Sequence, residues 1–364
     1  MGDMEEILKK LILLRKQLHE NAELPHREYR TQEILESFLE SETDFRLVRQ
    51  EGWFYAVKDG QETGEAIAFR AEMDALPISE DGKPVSHRCG HDGHMAAVCG
   101  VALALKGRVP PRSVYLVFQP AEEVGEGGAL CAKTLKEQSP VREIYACHNR
   151  SGYPEGSVIC REGLTQPASE GILLSFAGKT SHASEPEKGR NPAEAVSELA
   201  LLAVGMNQES PLILSTVTGI RVGTGDFGIS PGEGELRITL RAENEKDMKR
   251  QEGRLLQQAE ELAEKHGLRL DTEIRDYFPE TRNDGACARK VLRAAETCGL
   301  AVCDAGKLWR ASEDFGYYTR ELPGAMFYVG NGVDYPPLHT ECYEFPDRNL
   351  KTVLQVFLGL LQDE

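Results

Sequence analysis

The feature that most constrains the fold is a regular alternation of short apolar runs with stretches of helical periodicity. From Met4 to about Glu40, apolar side chains recur every three or four residues, with a break at Pro25, which predicts two helices. Apolar or alternating runs typical of strands then lie at 53–57, 66–69, 114–118, 144–146 and 157–160, and helical stretches separate them at 94–106 and 127–137. Strands alternating with helices pack as a substantially parallel, helix-covered sheet, so the chain is predicted to be α/β.

This alternation is interrupted after residue 167. The order there is strand 172–176, helix 192–206, strands 213–222 and 235–242, helix 247–265 and strand 268–274. That order is β-α-β-β-α-β, the ferredoxin-like unit. After residue 277 the first pattern resumes, with a helix at 287–298, a strand at 325–329 and a helix at 350–361. We therefore predict a large α/β domain, formed by 1–167 and 278–364, with a ferredoxin-like α+β domain inserted at 168–277.

Net charge and cysteine use limit the partners. The 364 residues carry 42 Lys and Arg against 59 Asp and Glu, a net charge of −17 that repels nucleic acid and anionic lipid surfaces. No run approaches the roughly 20 apolar residues of a membrane span, and the N-terminus is acidic, unlike a signal peptide. The nine cysteines show no paired spacing, which is typical of reduced thiols in the cytoplasm. We expect a cytoplasmic protein with no nucleic-acid or membrane partner.

Residue types that bind metals follow the predicted strands of the large domain. Asp74 follows strand 66–69, and Pro77 ends the extended segment. In α/β sheets, functional sites lie at such strand ends. Fifteen residues later come Cys89 and His91, two apart, which would face the same side of an extended segment. A thiolate and an imidazole together suit zinc or another first-row metal.

The later strands add further candidates. Strand 114–118 is followed by Glu122 and Glu123, and one of these carboxylates can bind metal while its neighbour stays free to accept a proton. The next strand ends at His148, and His339 lies in a rigid Pro-Pro loop near the end of the chain. A single residue of this kind more often has only a structural role. Four strand ends or loops that all carry metal-binding residue types predict a common metal site.

Together these motifs resemble the M20 metallopeptidase family, specifically its amidohydrolase branch of hippurate, indoleacetyl-amino-acid and N-acetyl-diaminopimelate hydrolases. The matching segments are 15–19, 28–29, 70–77, 89–94, 118–123, 178–183, 311–315 and 338–339. They extend over nearly the whole chain. The resemblance implies a large metallohydrolase catalytic domain and a small lid or dimerisation domain.

The resemblance also implies roles for individual residues. It implies two divalent ions, bridged by the Cys89 thiolate. The residues that match the family's ligands are Cys89, His91, Glu123, His148 and His339. Glu122 matches the general base that acts on a metal-bound water, and Asp74 matches an acid that supports the metal centre. His182 matches a small-domain histidine that, in dimeric members, reaches the neighbouring subunit's active site and stabilises the oxyanion. The resemblance thus implies a homodimer formed through the small domain.

The chain departs from the family pattern where relatives usually have Asn-x-Ile-Pro. Gly228 occupies the position of that Asn, which commonly helps to bind a substrate carboxylate. Ser230 or Arg241 could replace it, although a turn serine and a surface arginine are the simpler interpretations. His87 is interpreted as a rim or solvent residue, and His94 as one that packs within the helix it begins.

The predicted function is metal-dependent hydrolysis of the amide bond of a small N-acyl amino acid or related conjugate. The alternatives are a dipeptidase, which the same metals would serve, and a noncatalytic binding protein on the same fold. The thiolate ligand favours zinc, while the carboxylate ligand and the family leave manganese, cobalt and nickel open.

Overall fold

The structure is a computed structural model that describes residues 2–78, 82 and 84–362. Its helices, in chain order, are Gly2–Glu20 (α1), Tyr29–Glu42 (α2), His91–Leu105 (α3), Gly127–Gln138 (α4), Ala193–Gly205 (α5), Glu245–His266 (α6), Gly285–Thr297 (α7), Gly316–Glu321 (α8) and Asn349–Leu360 (α9). Its strands are Arg46–Arg49 (β1), Phe54–Lys58 (β2), Glu62–Glu72 (β3), Arg112–Gln119 (β4), Val141–Ser151 (β5), Val158–Ile159 (β6), Gly163–Gln166 (β7), Ala168–Ala177 (β8), Ser181–His182 (β9), Ile213–Val222 (β10), Ile229–Ser230 (β11), Glu233–Ala242 (β12), Arg269–Phe278 (β13), Thr281–Asn283 (β14), Val302–Cys303 (β15) and Gly324–Gly332 (β16).

The chain forms two compact units. The larger comprises residues 1–165, 281–309 and 313–364, and the smaller comprises 166–280 and 310–312. The chain passes from the larger to the smaller unit at 165/166 and returns at 280/281. The sequence-based divisions at 167/168 and 277/278 lie within three residues of these positions.

An eight-stranded mixed sheet organises the larger unit, in the order β1-β2-β4-β3-β5-β16-β6-β15. Its central strands β4, β3, β5 and β16 are parallel, whereas β1, β2 and β6 add antiparallel pairings toward the edges. The expectation of a substantially parallel sheet therefore applies to the centre, where helical crossovers join the strands. Helix α3 is buried along nearly its whole length and packs against α1, α9 and β3.

The smaller unit has the predicted β-α-β-β-α-β order. Its four-stranded antiparallel sheet runs β10-β12-β8-β13, and α5 and α6 pack on it around a separate apolar core. Every second residue of β8 and β12 is buried there, which is the period expected of a sheet with one covered face. A short two-stranded sheet pairs β9 with β11. The predicted fold class, an α/β catalytic domain with an inserted ferredoxin-like α+β domain, is confirmed.

No helix in the described ranges combines the length and the apolar character that crossing a membrane requires.

Candidate metal centre

The predicted site residues of the larger unit meet at one edge of its sheet. Strands β4, β3, β5 and β16 are adjacent and parallel, so the chain segments that leave their carboxyl ends lie side by side. Asp74 follows β3, the acidic turn (residues 120–123) follows β4, and His148 lies near the end of β5. His339 lies in the loop after β16. Sheet order therefore brings together side chains that are far apart in sequence.

Cys89 and His91 reach this edge by a different route from the one expected. Cys89 lies in a turn, Gly90 is left-handed with φ of 98°, and His91 begins α3, so the expectation of an extended segment was wrong. A Cβ atom on Gly90 would lie 2.4 Å from Oδ1 of Asn149, so both the backbone angle and the space require glycine. This turn directs the thiol and the imidazole to the same cluster.

The thiol of Cys89 lies between two histidines. Its Sγ is 3.4 Å from Nε2 of His148 and 3.3 Å from Nε2 of His339, and Cys89 is 6% exposed. Two groups of side chains with ligand spacing share this thiol: Cys89 with His91 and His148, and Cys89 with Glu123 and His339. All five predicted ligands belong to these two groups.

The hydrogen bonds of His91 and Glu123 leave one ligand atom of each without a partner. Nδ1 of His91 is 2.9 Å from the main-chain oxygen of Asp74, while its buried Nε2 has no hydrogen-bond partner among the described residues. The Asp74 carboxylate accepts the N–H of Glu123 at 2.8 Å, and Oε1 of Glu123 is likewise buried and has no hydrogen-bond partner in the part of the chain that the structure describes. These two orphaned atoms lie 3.7 Å apart. Buried polar atoms are seldom left unsatisfied, so the pair fits a cation between them.

The electrostatics of the cluster favour the binding of a cation. Burial, reinforced by Glu123 and Glu122, raises the pKa of the Cys89 thiol well above its usual value, and burial raises the pKa of Glu123 to about 7. Burial lowers the pKa of His91, but its contact with Asp74 and the charge of Glu72 outweigh this and raise it to about 10. A divalent cation would neutralise the negative charge of buried carboxylates and of an ionised thiol that lie close together. The thiol, imidazole and carboxylate donors of this cluster fit such an ion.

Glu122 lies beside the cluster without joining the groups that share the thiol. Its Oε2 is 3.7 Å from Nε2 of His91, and the residue is 5% exposed. Burial and the nearby carboxylates of Glu313 and Glu123 raise the pKa of Glu122 well above its usual value. A carboxylate with raised proton affinity can both accept and return a proton near neutral pH.

Sequence reasoning missed a buried ionic cluster behind this edge. The fully buried guanidinium of Arg70 pairs with Glu72, Glu313 and Asp314. Asp314 also accepts the N–H of Gly128 at 2.8 Å, which ties this cluster to the start of α4. The only signal for these residues was their presence in the matching segments 70–77 and 311–315.

Two further histidines lie near the cluster, and one of them differs from expectation. His87 is fully buried, not a rim residue, and neither ring nitrogen has a partner in the described chain. Burial lowers the pKa of His87 to about 4. His94 packs within α3, as expected, although the helix begins three residues earlier, and its ring bridges Glu72 at 2.8 Å and Asn149 at 2.6 Å.

The remaining predicted residues lie in the smaller unit. His182 is exposed on β9, where it pairs with Ile229 of β11, and its Nδ1 is 2.7 Å from the Ser184 hydroxyl. Arg241 is only partly exposed, and burial lowers its pKa, so the interpretation as a surface arginine was wrong. Its guanidinium donates to the hydroxyls of Ser169 at 3.1 Å and Ser312 at 2.9 Å.

A mixed sheet with a parallel centre, an inserted α+β unit and a thiol-histidine-carboxylate cluster at the strand ends define an α/β metallohydrolase. The comparisons identify the family. Residues 68–363 match the model described as peptidase family M20/M25/M40, and the chain belongs to that family. The predicted family and reaction class, metal-dependent amide hydrolysis, are thereby confirmed.

Three similar proteins illustrate the membership. An N-acetylcysteine deacetylase of Bacillus subtilis is 29% identical over 96% of this chain and 96% of its own length. An N-acetyldiaminopimelate deacetylase of Streptococcus uberis is 28% identical over 91% of this chain and 93% of its own. The crystal structure of a dinuclear metal-binding M20 peptidase from Bacillus subtilis has a TM-score of 0.80 at 25% identity, covering 98% of each chain.

Proposed function

We propose that the protein hydrolyses the amide bond of a small N-acyl amino acid, releasing a carboxylic acid and the free amino acid. The observation that carries the proposal is the pair of ligand groups that share the Cys89 thiol. The side chains that would hold the two divalent ions are those of Cys89, His91, Glu123, His148 and His339. The soft thiolate and the imidazoles favour zinc, and manganese is the second choice.

When bound, two such ions polarise the scissile carbonyl and make water a nucleophile near neutral pH. Asp74 keeps Nε2 of His91 available for a metal by accepting from Nδ1 through its main-chain oxygen, and it holds Glu123 through its carboxylate. Glu122 accepts the proton of the attacking water at a carboxylate oxygen and returns it to the leaving nitrogen. The C–O bond forms first and gives a tetrahedral intermediate, and the C–N bond breaks when this intermediate collapses, so water is consumed and a carboxylic acid and an amine are released.

We assign recognition of the substrate carboxylate to Arg241. Its partners within the described residues are two serine hydroxyls and no carboxylate, so this partly buried cation has no counter-charge. A carboxylate is the natural partner of such a guanidinium. Gly228 has no side chain with which to take the role of the family's Asn at this position.

The assigned substrate class agrees with the names of two relatives, which are deacetylases of N-acetylcysteine and of N-acetyldiaminopimelate.

We further propose that His182 stabilises the oxyanion of the tetrahedral intermediate across a homodimer interface formed by the smaller unit. Its exposed position on β9 supports a role toward a group outside its own unit. Apolar side chains on the same unit support an interface, because Leu201 on α5 and Ile220 on β10 are 76% and 56% exposed.

We place the enzyme in the cytoplasm because all nine cysteines are free thiols, as a reducing compartment requires. Fractionation of the source cells would test this, and recovery outside the cytoplasm would contradict it.

The proposed function is tested by assaying N-acetyl and N-benzoyl amino acids, their carboxamide counterparts and dipeptides with added Zn²⁺ or Mn²⁺. We expect N-acyl amino acids to be hydrolysed best, with about two ions bound per chain by elemental analysis. Arg241→Leu should raise KM for the free acids and leave KM for the carboxamides unchanged. Preference for dipeptides would instead identify a dipeptidase, and metal binding without hydrolysis would identify a noncatalytic protein.

A further inference from the structure

The acidic turn contains a residue in an unfavourable backbone conformation. Ala121 has φ of 53°, in the left-handed region, although it is not glycine and is completely buried. This conformation is unfavourable for an L-residue because it brings Cβ too close to the following carbonyl oxygen. It persists where the surrounding structure holds it in place, and it immediately precedes Glu122.

The group that holds Ala121 comes from the segment between α1 and α2. Oε1 of Glu28 accepts the N–H of Ala121 at 2.8 Å across 93 residues of sequence, and Glu28 is 4% exposed. Burying a carboxylate is energetically unfavourable unless hydrogen bonds compensate for the lost hydration. The hydrogen bond from the Ala121 N–H supplies such compensation for Glu28.

A second carboxylate holds the other end of the same turn. Asp74 accepts the N–H of Glu123 at 2.8 Å. Glu122 thus lies between two residues, Ala121 and Glu123, whose main-chain N–H groups each donate to a carboxylate from a distant segment. The direction of both acidic side chains depends on these two contacts, because neighbouring side chains change direction with every backbone angle between them.

We propose that Glu28 is a positioning residue for hydrolysis: by accepting the Ala121 N–H it holds the left-handed turn that directs Glu122 toward the reacting water and Glu123 toward the metal. This inference rests on the roles proposed above for Glu122 and Glu123. It gives Glu28 a function although its side chain is neither a ligand nor a proton acceptor in the reaction.

The test compares four variants with the wild type, measuring kcat, KM and Mn²⁺ affinity by calorimetry. Glu28→Met fills a similar volume without an acceptor, whereas Glu28→Gln keeps an acceptor oxygen. Glu28→Met combined with Ala121→Gly removes the backbone strain, since glycine adopts this angle freely. Glu23→Ala is the matched control, because Glu23 accepts the N–H and hydroxyl of Thr31 in the same segment without contacting the acidic turn.

We expect Glu28→Met to lower kcat and Mn²⁺ affinity by about 10 to 100-fold each, the range found when groups supporting a metal site are removed, with little change in KM. Glu28→Gln and the double variant should recover most of both losses, and Glu23→Ala should lower only the melting temperature. Wild-type kcat and affinity in Glu28→Met would overturn the proposal. A double variant no better than Glu28→Met, or equal losses in Glu23→Ala, would also overturn it.

A replacement variant and the wild-type result distinguish failure of the positioning role from misfolding and from failure of the proposed function. If Glu28→Met does not fold, Glu28→Ala, which leaves room for a water molecule, replaces it. A wild type that binds no Mn²⁺ or hydrolyses none of the N-acyl amino acids would refute the proposed function itself. An active wild type with an unaffected Glu28→Met variant would refute only the positioning role.

Discussion

At the scale of single residues, Cys89 is the centre of the site. Its Sγ has imidazole nitrogens at 3.4 and 3.3 Å on two sides, and its thiol belongs to both ligand groups. Burial and two carboxylates disfavour the thiolate, so its deprotonated form needs a neighbouring cation. Metal binding and thiol ionisation at Cys89 should therefore be coupled.

We expect Cys89 to be protected from alkylation in the metal-loaded protein and to react after a chelator removes the metal, because the thiolate is then no longer coordinated. Peptide mass spectrometry measures labelling at each cysteine. Cys342, which is exposed, should label in both states, and Cys99, buried in α3, in neither. Cys89→Ser should weaken metal binding by about 10 to 100-fold. Equal labelling of Cys89 in both states would contradict its role as a ligand.

Adjacent glutamates should separate catalysis from metal binding. Glu122→Gln keeps the shape of the side chain and removes its basicity, so kcat should fall by about 10² to 10⁴-fold with metal content unchanged. Glu123→Gln should instead lower the metal content, because it removes a ligand charge. Elemental analysis and steady-state kinetics distinguish the two, and a Glu122→Gln variant with near-normal kcat would exclude Glu122 as the base.

At the scale of elements, β5 carries His148 toward one end and is anchored at the other by Glu143. The Glu143 carboxylate accepts from Arg112 of β4 at 2.9 Å, from Lys290 of α7 at 2.6 Å and from the hydroxyl of Tyr145 at 2.5 Å. Burial disfavours its charge, but the hydrogen bonds from Lys290, Tyr145 and Arg112 outweigh this and lower the pKa of Glu143 to about 2. Ionised Glu143 thus links β5 to β4, which lies on the far side of β3 in the sheet, and to helix α7.

This anchor should make stability depend on pH. Because the folded-state pKa of Glu143 lies below the ordinary value of 4.5, its contribution is complete above about pH 4.5 and is lost as the pH falls toward 2. Glu143→Gln should lower the free energy of unfolding at pH 7 by about 1–3 kcal/mol, a difference that shrinks on acidification. Urea unfolding at several pH values measures it, with exposed Glu137→Gln on α4 as the control. A constant difference from pH 7 to pH 3 would contradict the assignment.

At the scale of the whole molecule, the proposed dimer can be tested without a structure of the assembly. Leu201→Glu places a charge on an apolar side chain that is 76% exposed on the smaller unit, and it should shift the protein from dimer to monomer in light scattering. Leu13→Glu is the control, since Leu13 is 68% exposed on α1 of the larger unit. If His182 acts across the interface, the monomeric variant loses most of its kcat. A wild type that is monomeric would refute the dimer.

The sequence by itself determined the strand and helix alternation, the order of the inserted unit and the residue types of the metal cluster. These features follow from local patterns, because the periodicity that distinguishes strands from helices is visible in consecutive residues. The motif resemblance added which of the two adjacent glutamates is the general base, Glu122, and which is the metal ligand, Glu123. The antiparallel edge strand β1 was not recognised, since its four residues show too little periodicity.

Only the tertiary structure decided which side chains meet. Cys89 contacts His339 across 250 residues, Arg70 pairs with Asp314 across 244, and Glu28 holds Ala121 across 93. Such contacts depend on the order and direction of strands in the sheet and on the φ angles of Gly90 and Ala121, none of which has a local period. The burial of Arg70 and His87 likewise follows from packing between distant elements, and no pattern in their own segments indicates it.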